Sequence, residues 1–120
     1  MSAKSYFPIL LALGLALSAC NRTPPAPTPQ EADKLAPAAP HLAELYVHAC
    51  KACHAMPGTG APLVHDHAAW DPRWDQGEEV LLTHVIEGYR AMPAGGQCAA
   101  CTAKDYLGLI RFLADREKKQ

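Results

Sequence analysis

Apolar residues recur at helical spacing in three segments of the chain, residues 41–54, 78–89 and 102–119. In each segment, steps of three and four residues place the apolar side chains on one face of an α-helix. No segment alternates apolar and polar residues in the way that predicts a β-strand. The pattern therefore predicts an all-α fold of three or four short helices.

The first helical segment carries two cysteines on its predicted apolar face. The positions on that face are Leu42, Leu45, Tyr46, Ala49, Cys50 and Cys53. Because these positions follow the helical period without a break, we expect one continuous helix with both thiols on its buried side.

Signals for helix starts refine this picture. Asp66 is a favourable N-cap for a helix of one or two turns that reaches Trp70. Thr102 and Asp105 have the spacing of a capping box at the start of the last helix. Three or four short helices form only a marginal hydrophobic core for a domain of this size, so we expect an additional stabilising feature.

The N-terminus has the layout of an export signal. Lys4 precedes an apolar run, Phe7 to Leu17, which is followed by small residues and is too short to span a membrane. The sequence LSAC, which ends at Cys20, resembles the lipobox of bacterial lipoproteins. That resemblance implies a signal peptide over residues 1–19 and a lipid anchor on Cys20, and Asn21 favours the outer over the inner membrane. The alternative is an ordinary signal peptide whose cleavage site contains a cysteine.

Residues 20–40 form a proline- and alanine-rich segment that holds six of the eleven prolines. Proline fixes φ and lacks a backbone donor, and the segment offers little to bury. We therefore expect a semi-extended tether there, followed by a folded domain over residues 41–120.

The charge balance excludes one class of partner. The chain has a formal net charge of −1, whereas a nucleic-acid-binding domain normally presents a basic surface. The acidic residues between positions 66 and 79 are expected to be solvated. The same holds for the histidines that lack a neighbour at ligand spacing, which are His48, His65, His67 and His84.

The sequence CKACH, from Cys50 to His54, matches the attachment signal of a c-type haem. Two thiols one helical turn apart can reach the two vinyl groups of one porphyrin, and His54 then lies beneath the iron. Haem proteins of the electron-transfer kind often add a methionine as the second axial ligand. Met92 is the candidate, because Met56 is tethered to the proximal side and Pro93 holds Met92 in an extended segment.

The chain resembles the small class I bacterial cytochromes c of the c-five type. The resemblance rests on the order of CKACH, Gly60-Ala61-Pro62 and the segment AMPAGGQCAAC over residues 91–101. It implies covalent haem on Cys50 and Cys53, with His54 and Met92 as axial ligands. It also implies roles for five further residues. In that set the Pro62 carbonyl accepts a hydrogen bond from His54, Cys98 and Cys101 form a disulfide, and Trp70 and Arg73 lie near the haem propionates.

Some residues leave alternatives open. Trp70 can equally be a core aromatic, and Arg73 can pair with nearby acidic side chains. Leu42 stands where many class I members have a glycine at the crossing of the first and last helices, which predicts a wider or shifted crossing.

These observations predict a membrane-tethered monohaem carrier of single electrons in the bacterial envelope, facing the periplasm and meeting redox proteins transiently. We expect no enzymatic activity of its own. The alternatives are a haem-based sensor from which Met92 dissociates, or a zinc or dithiol structural module built from the two CxxC pairs.

Overall fold

The computed structural model describes Met1 and residues 22–117. Residues 2–19 of the predicted signal peptide and the proposed lipid site at Cys20 lie outside the described residues. Six α-helices occur in the described part: α1 Pro29–Lys34, α2 Pro40–Leu45, α3 Lys51–His54, α4 His67–Trp74, α5 Glu78–Glu87 and α6 Ala103–Leu113. Extended pairing there is limited to one isolated bridge between Tyr89 and Met92, so the all-α prediction is confirmed. Within the same residues no helix has the length and apolar character needed to span a bilayer.

The first predicted helix is interrupted by a π turn, Tyr46–Cys50, which joins α2 to α3. A π turn contains an extra residue, so the side chains after it are rotated by about 100° relative to an unbroken α-helix. His54 and Ala55 are therefore buried, at 6% and 2% exposure. Cys50 is half-buried and packs against the hydrophobic core, as expected, whereas Cys53 is exposed, so the expectation of a buried thiol was wrong for Cys53.

The C-terminal helix α6 forms the main wall of the core. Thr102 and Asp105 make the predicted capping box, in which the Asp105 carboxylate accepts a hydrogen bond from the Thr102 backbone N–H at 2.9 Å. The buried face of α6 packs against the π turn, where the rings of Phe112 and Tyr46 meet edge to face with centroids 4.9 Å apart. Both side chains are at most 2% exposed, so this pair is the centre of the contact between the two ends of the domain.

The crossing of α2 and α6 accommodates Leu42 through a glycine on the opposite helix. A Cβ atom added at Gly108 would lie 2.7 Å from the Leu42 Cδ1 atom. The small residue that close packing requires is therefore present on the last helix instead of the first.

Part of the proline-rich segment is folded, which corrects the expectation of a tether over residues 20–40. Thr28 and Glu31 form a capping box around α1, and Pro29 occupies the first turn. Ala32 is fully buried in the hydrophobic core, and Asp33 forms an ion pair with Lys51 at 3.1 Å. The segment folds because a capped turn with a small side chain can pack on the core despite its many prolines.

Several acidic residues that were expected to be solvated pair with the C-terminal helix and the residues after it. Arg111 binds Glu78 with two nitrogens, one of them at 2.8 Å. Arg116 lies 2.8 Å from Asp71, and His67 lies between Asp71 and Asp115. The acidic stretch therefore joins α4 and α5 to the end of the chain.

Candidate functional site

His54 ends α3 and is held by the loop that follows it. Its Nδ1 atom lies 2.8 Å from the Pro62 carbonyl oxygen, the contact that the family resemblance implied. Its own carbonyl oxygen accepts a hydrogen bond from the Val64 N–H at 2.7 Å. The ring and the backbone of His54 are thus both tied to residues 62–64, and Nδ1 is fixed as the donor nitrogen because a carbonyl can only accept.

The loop between His54 and Pro62 depends on two glycines and one threonine. Gly58 and Gly60 have φ values of 81° and 84°, which other residues rarely adopt, and a Cβ at either position would meet nothing within 4 Å. The Thr59 hydroxyl donates to the Cys53 carbonyl at 2.9 Å. Thr59 was not identified from the sequence, since a single hydroxyl in a loop gives no distinctive signal.

The electrostatics of His54 favour the neutral imidazole. Burial lowers its pKa, the hydrogen bond to Pro62 opposes that effect, and the charge of Arg73 lowers the pKa further. No hydrogen bond of the Nε2 atom occurs among the described residues. A neutral ring whose Nδ1 is engaged presents the lone pair of Nε2, which is the form of histidine that binds a metal.

The two thiols of CKACH do not have the character of a redox dithiol. Burial raises the pKa of the Cys50 thiol to about 11, with a smaller contribution from Cys53. Reactive cysteines in redox motifs have lowered pKa values, because the thiolate is the nucleophile. The environment of Cys50 therefore argues against the dithiol alternative.

Trp70 and Arg73 are both placed beside His54 by α4. The Trp70 ring is 6% exposed and lies 5.9 Å from the His54 ring, and its N–H donates to the Leu63 carbonyl at 2.8 Å. This geometry favours the core alternative for Trp70, since its one donor is already used. Arg73 donates to the Ala69 carbonyl, and it makes no salt bridge within the described residues.

Met92 is held by a tight hairpin after α5. The backbone N–H of Met92 donates to Tyr89 at 2.9 Å, and the N–H of Tyr89 donates back to Met92 at 3.0 Å. Gly88, at φ 87°, allows the close approach, because a Cβ there would lie 3.0 Å from the Met92 carbonyl oxygen and from the Ala94 nitrogen. Met92 is half-buried, whereas Met56 is 54% exposed.

The segment after Met92 packs against the cysteine-bearing turn. The 3₁₀ turn Ala94–Gln97 contacts the π turn Tyr46–Cys50, so the structure brings the methionine loop and the CKACH segment together. A disulfide joins Cys98 and Cys101 directly after this turn. The hydroxyl of Tyr106 in α6 lies within hydrogen-bond distance of two carbonyls of the same segment, a contact that no local sequence pattern indicates.

A zinc site built from the two CxxC pairs does not fit this arrangement. Cys98 and Cys101 are consumed by their disulfide. Across the described residues, no three side chains of histidine, cysteine, aspartate or glutamate converge as a metal site would require. The donor set instead suits a haem, which brings its own four nitrogen ligands and needs only two from the protein.

Comparison with known proteins identifies the family of this chain. The sequence pattern of the family described as cytochrome C oxidase, cbb3-type, subunit III matches residues 37–113. The chain belongs to this cytochrome c family. Its cofactor is therefore covalently bound haem c, and the chemistry of Cys50, Cys53 and His54 fits that group.

Curated relatives of this cytochrome are named cytochrome c5 and cytochrome c-555. It is 44% identical over 55 residues to cytochrome c5 of Ectopseudomonas mendocina, an alignment that covers 44% of this chain and 63% of the relative. It is 35% identical over 77 residues to cytochrome c-555 of Chlorobaculum tepidum, which covers 61% of this chain and 71% of that protein. The chain thus spans less than two thirds of the first relative and more of the second.

A solved structure shares the fold of this cytochrome. It is the crystal structure of an electron transfer complex of nitrite reductase with cytochrome c. The match has a TM-score of 0.58 and 33% sequence identity, and it covers 65% of this chain and 95% of the other. The class I identification made from the sequence motifs is confirmed.

Proposed function

We propose that this cytochrome is a monohaem carrier of single electrons with His54 and Met92 as axial ligands. The observation that carries the proposal is the hydrogen bond from His54 Nδ1 to Pro62, which orients the ring and leaves Nε2 as a ligand. Met92 supplies the second ligand from a hairpin whose backbone is fixed on both sides. A site with both axial positions filled by the protein transfers electrons without binding a substrate at iron.

Each residue has a distinct task in this proposal. The haem supplies an iron that alternates between the ferrous and ferric states, and the thiols of Cys50 and Cys53 hold it through thioether bonds. The thioether of Met92 favours the ferrous state, whereas the Pro62 carbonyl makes the His54 ring more basic and so favours the ferric state. Because His54 and Met92 are both held by hydrogen bonds to neighbouring backbone, they would keep their positions in either oxidation state of the bound haem.

The proposed location is the bacterial cell envelope, with the domain facing the periplasm and anchored by lipid on Cys20. The support is the layout of residues 1–19 and the LSAC sequence, and Asn21 favours the outer membrane. Two or more acyl chains would make such an anchor stable. Because α1 is packed on the domain, only the residues before Thr28 would act as the tether.

The proposed partners are redox proteins that bind transiently. The solved neighbour is a cytochrome c bound to an enzyme in an electron transfer complex, and a small exposed haem edge suits a contact of that kind. The present cytochrome would then deliver or accept electrons without catalysing a reaction itself.

The spectrum and mass of the purified holoprotein test the proposal. The reduced-minus-oxidised spectrum should show sharp c-type bands, and the denatured chain should retain the mass of one haem. Cys53→Ala should leave at most one thioether bond. Absence of c-type bands, or zinc in place of iron, would refute the proposal.

Carbon monoxide separates a closed carrier from a sensor. The ferrous wild-type protein should fail to bind carbon monoxide without denaturant, because Met92 occupies the sixth position. Met92→Ala should bind it readily and serves as the positive control. Binding by the wild-type protein at low concentration would favour the sensor alternative.

A further inference from the structure

Tyr106 joins the C-terminal helix to the segment that follows Met92. Its hydroxyl oxygen lies 2.9 Å from the Gly95 carbonyl oxygen and 3.0 Å from that of Cys98. One hydroxyl proton is shared between these two acceptors. Among the described residues no other side chain donates to either carbonyl, so Tyr106 is the side-chain tie between α6 and this turn.

The turn that Tyr106 holds lies against the end of the Met92 side chain. A Cβ added at Gly96 would sit 3.3 Å from the Met92 Cε atom, so the methyl group of the thioether lies beside Gly96 and leaves little room for a larger side chain there. The turn itself is closed by hydrogen bonds from Gly96 N–H to Pro93 and from Cys98 N–H to Gly95. A shift of the Gly95–Cys98 backbone therefore moves the surface on which Met92 rests.

The contact between Gly95 and the Tyr106 hydroxyl is close enough to restrict which residues can occupy both positions. A Cβ added at Gly95 would lie 3.0 Å from the Tyr106 hydroxyl, and Gly95 has a φ of 67°. The Tyr106 ring is half-buried and packs against the core, which fixes the position of its hydroxyl. The hydroxyl is thus a rigid donor, since the ring cannot follow the turn if the turn moves away.

We propose that Tyr106 is a positioning residue for the sixth ligand, whose hydroxyl holds the Gly95–Cys98 turn and thereby limits release of the Met92 thioether from the haem iron. The inference rests on the proposed His54 and Met92 ligation and extends it to a residue in α6. It predicts that loss of the hydroxyl makes the sixth position easier to enter without removing the ligand.

Tyr106→Phe and Tyr46→Phe form a matched pair for the test. Tyr106→Phe removes the hydroxyl and keeps the ring. Tyr46→Phe makes the same chemical change at a fully buried tyrosine whose hydroxyl has no hydrogen-bond partner in the described structure. The probe is imidazole, titrated into the ferric holoproteins and followed by the loss of the far-red charge-transfer band of thioether-ligated haem.

Imidazole should bind ferric Tyr106→Phe about three- to tenfold more tightly than wild type, the factor that one ordinary hydrogen bond contributes. Tyr46→Phe should bind it with wild-type affinity. Hydrogen exchange at the Gly96 and Cys98 amides should also be faster in Tyr106→Phe, which reports on the turn independently of added ligand.

The possible contrary outcomes are distinct. Equal imidazole affinity in wild type and Tyr106→Phe, or an equal rise in both variants, would overturn the inference while leaving the ligation intact. A ferric wild-type protein without the charge-transfer band would instead refute Met92 ligation. The inference depends on that ligation and would be refuted as well.

Discussion

The Nδ1 atom of His54 lies 2.8 Å from the carbonyl oxygen of Pro62. A backbone group, not a side chain, therefore sets the tautomer and orientation of the proposed proximal ligand. Its position depends on the fixed φ of a proline and on a loop that contains two glycines with positive φ. The orientation of the His54 ring is thus coupled to the stiffness of an exposed loop.

Replacing this proline should change both stability and redox potential. In Pro62→Ala the loop gains freedom in the unfolded chain, which should lower the free energy of unfolding by about 0.4–1 kcal/mol. A weaker hydrogen bond makes His54 less basic and the ferric state less favourable, so the midpoint potential should rise. Denaturant unfolding and a potentiometric titration measure the two effects.

Pro57→Ala is the matched control, because Pro57 is exposed in the same loop and its carbonyl accepts no hydrogen bond from His54. It should lower stability by a similar amount and leave the potential unchanged. Equal shifts of potential in both variants would show that the carbonyl of Pro62 has no special role.

His67 should make the stability of the domain depend on pH. Its Nδ1 lies 3.1 Å from Asp71 and its Nε2 lies 3.1 Å from Asp115, so both contacts are hydrogen bonds only when the ring is protonated. The bond to Asp115 raises the pKa of His67 most, and Asp71 adds to it against the opposing effect of burial. Arg116 also binds Asp71, which keeps that carboxylate paired when His67 loses its proton.

The sign of the effect follows from this raised pKa. The folded state holds the proton more tightly than the unfolded chain, so the stabilisation is complete below the unfolded pKa of about 6.5. It is lost as the pH rises through the higher folded pKa. The free energy of unfolding should therefore decrease as the pH rises between the unfolded and the folded pKa of His67. This decrease should be absent in His67→Gln.

His48→Gln provides the comparison, since His48 is exposed and pairs with no carboxylate in the described part of the chain. This variant should keep the wild-type pH profile. A profile in His67→Gln that matches the wild type would contradict the pairing.

The contact between Tyr46 and Phe112 should dominate the stability of the domain. Phe112 is 2% exposed, and its ring meets that of Tyr46 edge to face. Phe112→Ala should lower the free energy of unfolding by about 3–5 kcal/mol, a large part of the total for a small domain. Val80→Ala, at a site that is 38% exposed, should cost much less, and denaturant unfolding of both variants checks the difference.

Local sequence signals predicted the positions of the helices well. Asp66 does cap α4, and Thr102 with Asp105 caps α6, because caps depend on hydrogen bonds within a few residues. The helix α1 was missed although Thr28 and Glu31 have capping-box spacing and Pro29 follows the cap. A high proline content alone therefore does not exclude a short capped helix.

The remaining differences between the sequence-based predictions and the structure come from tertiary structure. The π turn at Tyr46–Cys50 rotates Cys53 away from the core, and no periodicity count reveals an inserted residue in a helix. The pairing of His67 with Asp115 and the tie from Tyr106 to Gly95 join residues that are distant in sequence or lie on different elements. The motif CKACH and Met92 were identifiable because their chemistry is encoded in short segments.

The far-red charge-transfer band of the ferric protein tests the central claim most directly, because it reports thioether ligation of the iron. Met56→Ala is the natural control for Met92→Ala, since Met56 is exposed and follows the proximal histidine closely. Ligation by Met92 predicts that the band is present in the wild type and in Met56→Ala and absent in Met92→Ala. A band that persists in Met92→Ala, or that is lost in Met56→Ala, would contradict it.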